Sequence, residues 1–87
     1  MNPTIEEEID LHGLTIDEAM AQVEMALERH RRSSSRGWIR IIHGQSSGLK
    51  NSIKGVLRRN LETRWRGKIK LFRPELGNPG ATLISLK

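Results

Sequence analysis

Two histidines carry the clearest chemical signal in this 87-residue chain, and a glycine follows each of them, as His12-Gly13 and His43-Gly44. Imidazole is the side chain whose ordinary pKa brings it through protonation near neutral pH, so it serves as a general acid or base. Glycine directly after it lets the backbone turn sharply and approach a bound group. Asp10 stands two residues before His12, on the same face of an extended segment. A carboxylate there can orient the imidazole, raise its pKa or hold a cation. Asp10 and His12 are therefore candidate catalytic residues, with His43 as a second proton-transfer group. Plainer readings exist for each: Asp10 as the polar half of a strand's alternation, His12 and His43 as turn residues. His30, within the Arg29–Arg32 cluster, reads as a surface residue complementing a helix dipole.

The segment Gly44-Gln45-Ser46-Ser47-Gly48 resembles a phosphate cradle. It is not a P-loop: three residues rather than four separate the glycines, and Leu49-Lys50-Asn51 follows where Lys and Ser/Thr are required. Nucleotide hydrolysis is thereby rejected. The amides of Gly44 to Gly48, with a helix N-terminus behind them, still suit a single phosphate. Ser46 or Ser47 can line that site or cap the helix. Lys50, Lys54 and Arg58 recur at intervals of four and form one basic column on a helix. Arg40, Lys68 and Lys70 are expected to alternate outward from strands, as phosphate contacts or as a solvated face. Glu6-Glu7-Glu8 reads as a frayed acidic lead-in rather than a divalent-ion site.

These residues need elements to position them. Residues 7–12 alternate as a first strand, with Ile9 and Leu11 on one face. Thr15 and Glu18 form a capping box opening a helix whose apolar positions are Ile16, Ala19, Met20, Val23, Ala26 and Leu27. Residues 38–42 form a second strand. Leu49, Ile53, Val56, Leu57 and Leu61 mark a second helix reaching about Arg64. Residues 68–73 form a third strand, Pro74 to Gly80 a turn-rich loop, and residues 81–86 a fourth strand. The order βαβαββ implies two crossovers with parallel pairing and a last strand returning antiparallel. The expected fold is α/β: a two-layer sandwich, a four-stranded mixed sheet with two helices on one face. Both His-Gly pairs then fall at strand carboxyl ends, where ligands collect in such sheets. Residues 1–6 are expected to be a flexible lead-in and residues 7–87 a single domain.

Composition narrows the function classes. With no cysteine there is neither a disulfide framework nor a thiolate zinc site. No apolar run approaches the roughly 20 residues that span a bilayer, and Met1-Asn2-Pro3-Thr4 does not open a signal peptide. The expectation is a soluble, cytoplasmic protein without a membrane role, monomeric because nothing signals a coiled coil. The net charge of +5 is sharply divided. Residues 1–28 hold eight acids and no Lys or Arg; residues 29–87 hold fifteen basic residues and two acids, a segment charge of +13. Phosphate polyanions are the common partner of such a segment. Arg outnumbers Lys ten to five, favouring phosphate forks. Only Trp38, Trp65 and Phe72 are aromatic, which argues against a stacking platform for single strands.

The motif Ile9-Asp10-Leu11-His12-Gly13-Leu14-Thr15 before an acidic amphipathic helix resembles the opening of the small MutS-related, or Smr, domain. Ile42-His43-Gly44 through Gly48-Leu49 is similar to that family's second motif, and Gly77 through Gly80-Ala81-Thr82 to its glycine motif near the end. Ser46 stands where the family usually has a second glycine, and Asn78 stands in a glycine pair. The resemblance covers residues 7–87. It implies the same fold, similar to the C-terminal domain of the third bacterial translation initiation factor, and nucleic-acid binding, often with nicking or RNA endonuclease activity. Asp10 and His12 match the motif credited with cleavage; His43, Gly44 and Gly48 match the second. The leading expectation is an endonuclease acting on RNA or DNA, with a divalent cation such as Mg or with no metal. The alternative is a non-catalytic module binding nucleic acid or the ribosome, and a third class is a domain whose basic face meets an acidic protein.

Overall fold

The computed structural model describes residues 4–33, 37–44 and 52–86. Its elements run β1 (Ile5–Asp10), α1 (Ile16–Arg32), β2 (Trp38–Ile42), α2 (Ile53–Glu62), a single 3-10 turn (Arg66–Lys68), β3 (Ile69–Glu75) and β4 (Asn78–Leu86). The sheet order is β1-β2-β4-β3. β1 and β2 are parallel, while β4 is antiparallel to both β2 and β3. The second crossover therefore skips one place, and β4 returns to fill it. This is the α/β fold expected, a four-stranded mixed sheet with two helices.

The core explains the arrangement. Leu11, Ile39, Ile41 and Ile84 present one sheet face to Ala19, Met20, Val23 and Leu27 of α1 and to Leu57 and Leu61 of α2. Trp65 is buried against the same cluster, with its indole Nε1 donating to Glu24 at 3.2 Å. That aromatic serves packing, not ligand stacking. The capping box is present: Glu18 N–H donates to Thr15 Oγ1 at 3.1 Å, and Thr15 N–H to Glu18 Oε1 at 2.9 Å. No described helix is long and apolar enough to cross a membrane.

Several element bounds differ from expectation. β1 starts at Ile5 and ends at Asp10, so Glu6-Glu7-Glu8 is strand, not lead-in, and His12 lies in the turn beyond. α2 begins at Ile53 because the side chain of Ser52 accepts from Gly55 N–H at 3.0 Å and caps the helix there. β3 starts one residue after Lys68, and β3 and β4 consume most of the expected loop, leaving the two-residue turn Leu76-Gly77. Gly77 reaches φ +79, which lets so short a connection close.

Candidate nucleic-acid interface

Parallel pairing sets the carboxyl ends of β1 and β2 side by side: Asp10 pairs with Ile42, and Leu11 N–H donates to the Ile42 carbonyl at 2.8 Å. The two His-Gly turns leave the sheet from there, with Gly13 at φ +82 and Gly44 at φ +78. Those angles favour glycine and explain the residue that follows each histidine.

The two histidines are held differently. His12 is exposed. Asp10 does not bond its ring; one Asp10 oxygen accepts the backbone N–H of His12 at 2.9 Å and holds the turn. His43 is half-buried, with both ring nitrogens engaged: Nδ1 lies 2.7 Å from the Gly44 carbonyl and Nε2 lies 2.8 Å from Thr82 Oγ1. A carbonyl only accepts, so Nδ1 carries the proton, and in the neutral ring Nε2 accepts from the threonine hydroxyl. Burial pushes the His43 pKa below its ordinary value. The Gly44 carbonyl opposes that shift, and the positive charges of Lys54 and Arg58 reinforce it. Thr82, 39 residues from His43, was not a sequence candidate; its place in the glycine motif after Gly80 was the available signal.

The Gly44 amide is engaged as well. His43 N–H and Gly44 N–H both donate to the Gly80 carbonyl, at 2.9 and 3.0 Å. Gly80 sits close enough that a Cβ there would lie 3.4 Å from Gly44 Cα. Ser46, Ser47, Gly48 and Lys50 lie outside the described residues. Lys54 and Arg58 sit on α2 beside this end of the sheet, and Lys54 Nζ reaches the Pro79 carbonyl at 3.4 Å. Among the described residues, no three His, Asp or Glu side chains gather as a metal-binding set.

The expected outward cations divide. Arg40 faces the helix-free side but is clamped between two carboxylates, with contacts of 2.5 Å to Glu75 and 3.0 Å to Glu8. Glu75 is held below the ordinary carboxylate range by that Arg40 contact. Lys68 lies in the 3-10 turn, not a strand, and pairs with Glu28 at 2.9 Å. Lys70 is exposed on β3. His30 is not a free surface residue: its side chain is 11% exposed and Nε2 lies 2.6 Å from Glu7, which Arg29 also grips at 2.6 Å. A small hollow lined by Lys54, Arg58, Pro74 and Thr82 shares Leu61 and Phe72 with a second one lined by Arg66 and Lys70. Lys54, Arg58, Arg66 and Lys70 thus follow one flank, from His43 along α2 to the β3 edge, while Arg32 lies on α1 and Arg73 stacks over the Trp38 ring at 5.0 Å.

The fold and paired His-Gly turns define a class, and comparison identifies it. The family model for the Smr domain matches residues 9–87, and the chain belongs to that family. The chain is similar to proteins named "Endonuclease MutS2": that of Thermomicrobium roseum is 33% identical over 87 residues, 98% of this chain and 10% of the relative, and that of Thermus thermophilus 33% identical over 84 residues, 92% of this chain and 10% of the relative. The chain thus spans about a tenth of the length of these relatives. Among solved structures it resembles the Smr domain of Thermus thermophilus MutS2, with TM-score 0.67 and 33% identity, covering 93% of this chain and 98% of that one. It also resembles the human small-MutS related domain, with TM-score 0.65 and 25% identity, covering 91% of this chain and 99% of that one.

Proposed function

We propose that this Smr domain binds nucleic acid through its α2–β3 flank and cleaves a phosphodiester bond beside His12. One observation carries the reading: the exposed His12 and the Lys54/Arg58 pair belong to the same carboxyl-end region of the sheet, His12 in the turn after β1 and Lys54 on the Pro79 carbonyl beside the Gly80 that holds the His43-Gly44 turn. Cleavage requires a proton to leave the attacking oxygen (the 2′-hydroxyl on RNA, water on DNA) while the departing oxygen gains one. His12 handles one of these transfers and solvent water, which reaches this exposed turn, handles the other. His43, neutral and held at both nitrogens, positions the turn, and Lys54 and Arg58 offset charge on the phosphoryl oxygens. The "Endonuclease MutS2" name of the relatives supports the reaction class. The reading places the domain in the cytoplasm, as a monomer acting on RNA, DNA or the ribosome.

A second reading, binding without cleavage, is favoured by the same hydrogen bonds: Asp10 is committed to backbone and His43 has no free ring nitrogen. Incubating the protein with end-labelled RNA and DNA at low salt, with and without EDTA, separates the two. The cleavage reading expects products whose rate falls about 10²–10⁴-fold in His12→Ala with binding retained. Salt-sensitive binding with no products from the wild type would establish the second reading instead.

A further inference from the structure

Leu76 stands out on the described surface. It is 99% exposed, at the apex of the β3–β4 hairpin, where Gly, Asn, Asp and Ser usually serve. A scattered exposed apolar residue needs no explanation. This one is held out on a braced arm next to the candidate interface. Three contacts from Arg40 fix Glu75, at 2.5 to 3.0 Å. Asn78 Nδ2 donates to Glu75 Oε1 at 2.9 Å, closing the turn across its base. Pro74 and Pro79 flank it and restrict the backbone. The far side of the same arm is tied to the site: Pro79 accepts from Lys54, and Gly80 from His43 and Gly44. Four residues extend at most about 14 Å, so Leu76 lies within that span of Gly80. At 3.4 Å per base pair, that is about four base steps.

We infer that Leu76 is a wedge: when the α2–β3 flank holds a nucleic-acid backbone, the Leu76 side chain enters between stacked bases near the scissile phosphate. Leu is among the residues that proteins insert in this way, opening a base step at the cost of stacking. The bracing matters, because a flexible tip would fold its leucine back rather than force a step apart. The substrate class follows: nucleic acid with stacked, paired bases in preference to an unstructured strand. This inference rests on the nucleic-acid reading above.

The test uses a short duplex carrying 2-aminopurine at a central TA step, which opens readily, and the same labelled strand alone. Unstacking brightens 2-aminopurine. The wild type is expected to brighten the duplex on binding, and Leu76→Asn, compatible with the turn, to lose that signal and roughly tenfold in duplex affinity. Its single-strand affinity and salt slope should not change. Leu76→Met should restore the signal. Because Leu76 buries almost nothing, the thermal midpoint of both variants should match the wild type, which excludes misfolding as the cause. Equal brightening by wild type and Leu76→Asn, or none by the wild type while it binds with the expected salt dependence, overturns the wedge and leaves the nucleic-acid reading intact. Wild type that binds neither probe even at low salt overturns both.

Discussion

Asp10 offers the sharpest test of how this site works, because the structure gives its carboxylate a definite task. One oxygen accepts the His12 backbone N–H at 2.9 Å, and the imidazole is positioned only through the backbone it belongs to. The bond is exposed, so it contributes about 1 kcal/mol. Losing it in Asp10→Ala loosens the turn by that amount, a shift of roughly fivefold in the equilibrium between placed and displaced His12. Asp10→Asn keeps an oxygen acceptor in the same place and removes only the charge. Single-turnover cleavage should therefore fall by no more than about fivefold in Asp10→Ala and about twofold or less in Asp10→Asn, against about 10²–10⁴-fold in His12→Ala. A carboxylate that moved a proton, tuned the imidazole through its charge or held a cation would behave otherwise. If Asp10→Asn is as damaged as His12→Ala, the positioning argument is wrong.

Three further outcomes are expected. Replacing Lys54 and Arg58 together by Ala should lower the slope of log affinity against log salt by about 1.8 on duplex DNA, since each phosphate contact contributes about 0.9; filter binding across a salt series checks this. Thr82→Val removes the hydroxyl that donates to His43 Nε2, so it should destabilise by about 1 kcal/mol, or roughly 4–8 °C in the thermal midpoint, with Thr82→Ser near wild type. Glu7 is held below the ordinary carboxylate value of 4.5 chiefly by its Arg29 contact. Its stabilisation is therefore present above that value and lost as pH falls through the lowered one, so the thermal-midpoint gap between wild type and Glu7→Gln should close on acidification.

What the sequence showed, and where it misled, follows from how local each signal is. The Thr15/Glu18 capping box involves four consecutive residues, and it appears as expected. The Pro74–Gly80 stretch looked like a loop because proline cannot donate to a ladder. Yet Pro74 lies on β3, an edge strand, and the register irregularity after Pro74 leaves Pro79 out of the regular pairing with β3, so both prolines are tolerated. Lys68 falls in the 3-10 turn before β3, and a second register irregularity follows it. The break between Ile69 and Leu71 turns the alternation over: Ile69 is buried, Leu71 exposed and Phe72 half-buried. Strict period two cannot register such a bulge. The Glu7–His30, Arg40–Glu75 and His43–Thr82 contacts join residues 23, 35 and 39 positions apart, and only the folded chain brings them together.

The divided charge shows best how sequence and structure say different things with the same residues. Along the chain, an acidic third precedes a basic remainder, and +13 suggests a polyanion-binding surface throughout. In space, β1 pairs with β2, and α1 reaches Arg64 and Lys68 through Glu24 and Glu28, so much of the opposition is internal. Of the fifteen Lys and Arg, Arg29, Arg31, Arg40, Arg64 and Lys68 pair with carboxylates. Arg36, Lys50 and Lys87 lie outside the described residues, which leaves Arg32, Lys54, Arg58, Arg59, Arg66, Lys70 and Arg73 without an ion pair. Exposed pairs of this kind add at most about 1 kcal/mol each to stability. Their larger effect is selective neutralisation. Pairing removes Arg29 and Arg31 of α1 and Arg40 at the centre of the sheet from competition, and six of the seven that remain belong to α2, the 3-10 turn and β3. A phosphate backbone is drawn where positive charge stays uncompensated. That flank is continuous with Thr82 and His43 at one end, and the hairpin that carries Leu76 rises from it. The acidic segment thus acts by cancelling basic charge elsewhere: the uncompensated charge it leaves runs along α2, from Lys54 and Arg58 beside the His43-Gly44 turn to Arg66 and Lys70 at the amino end of β3.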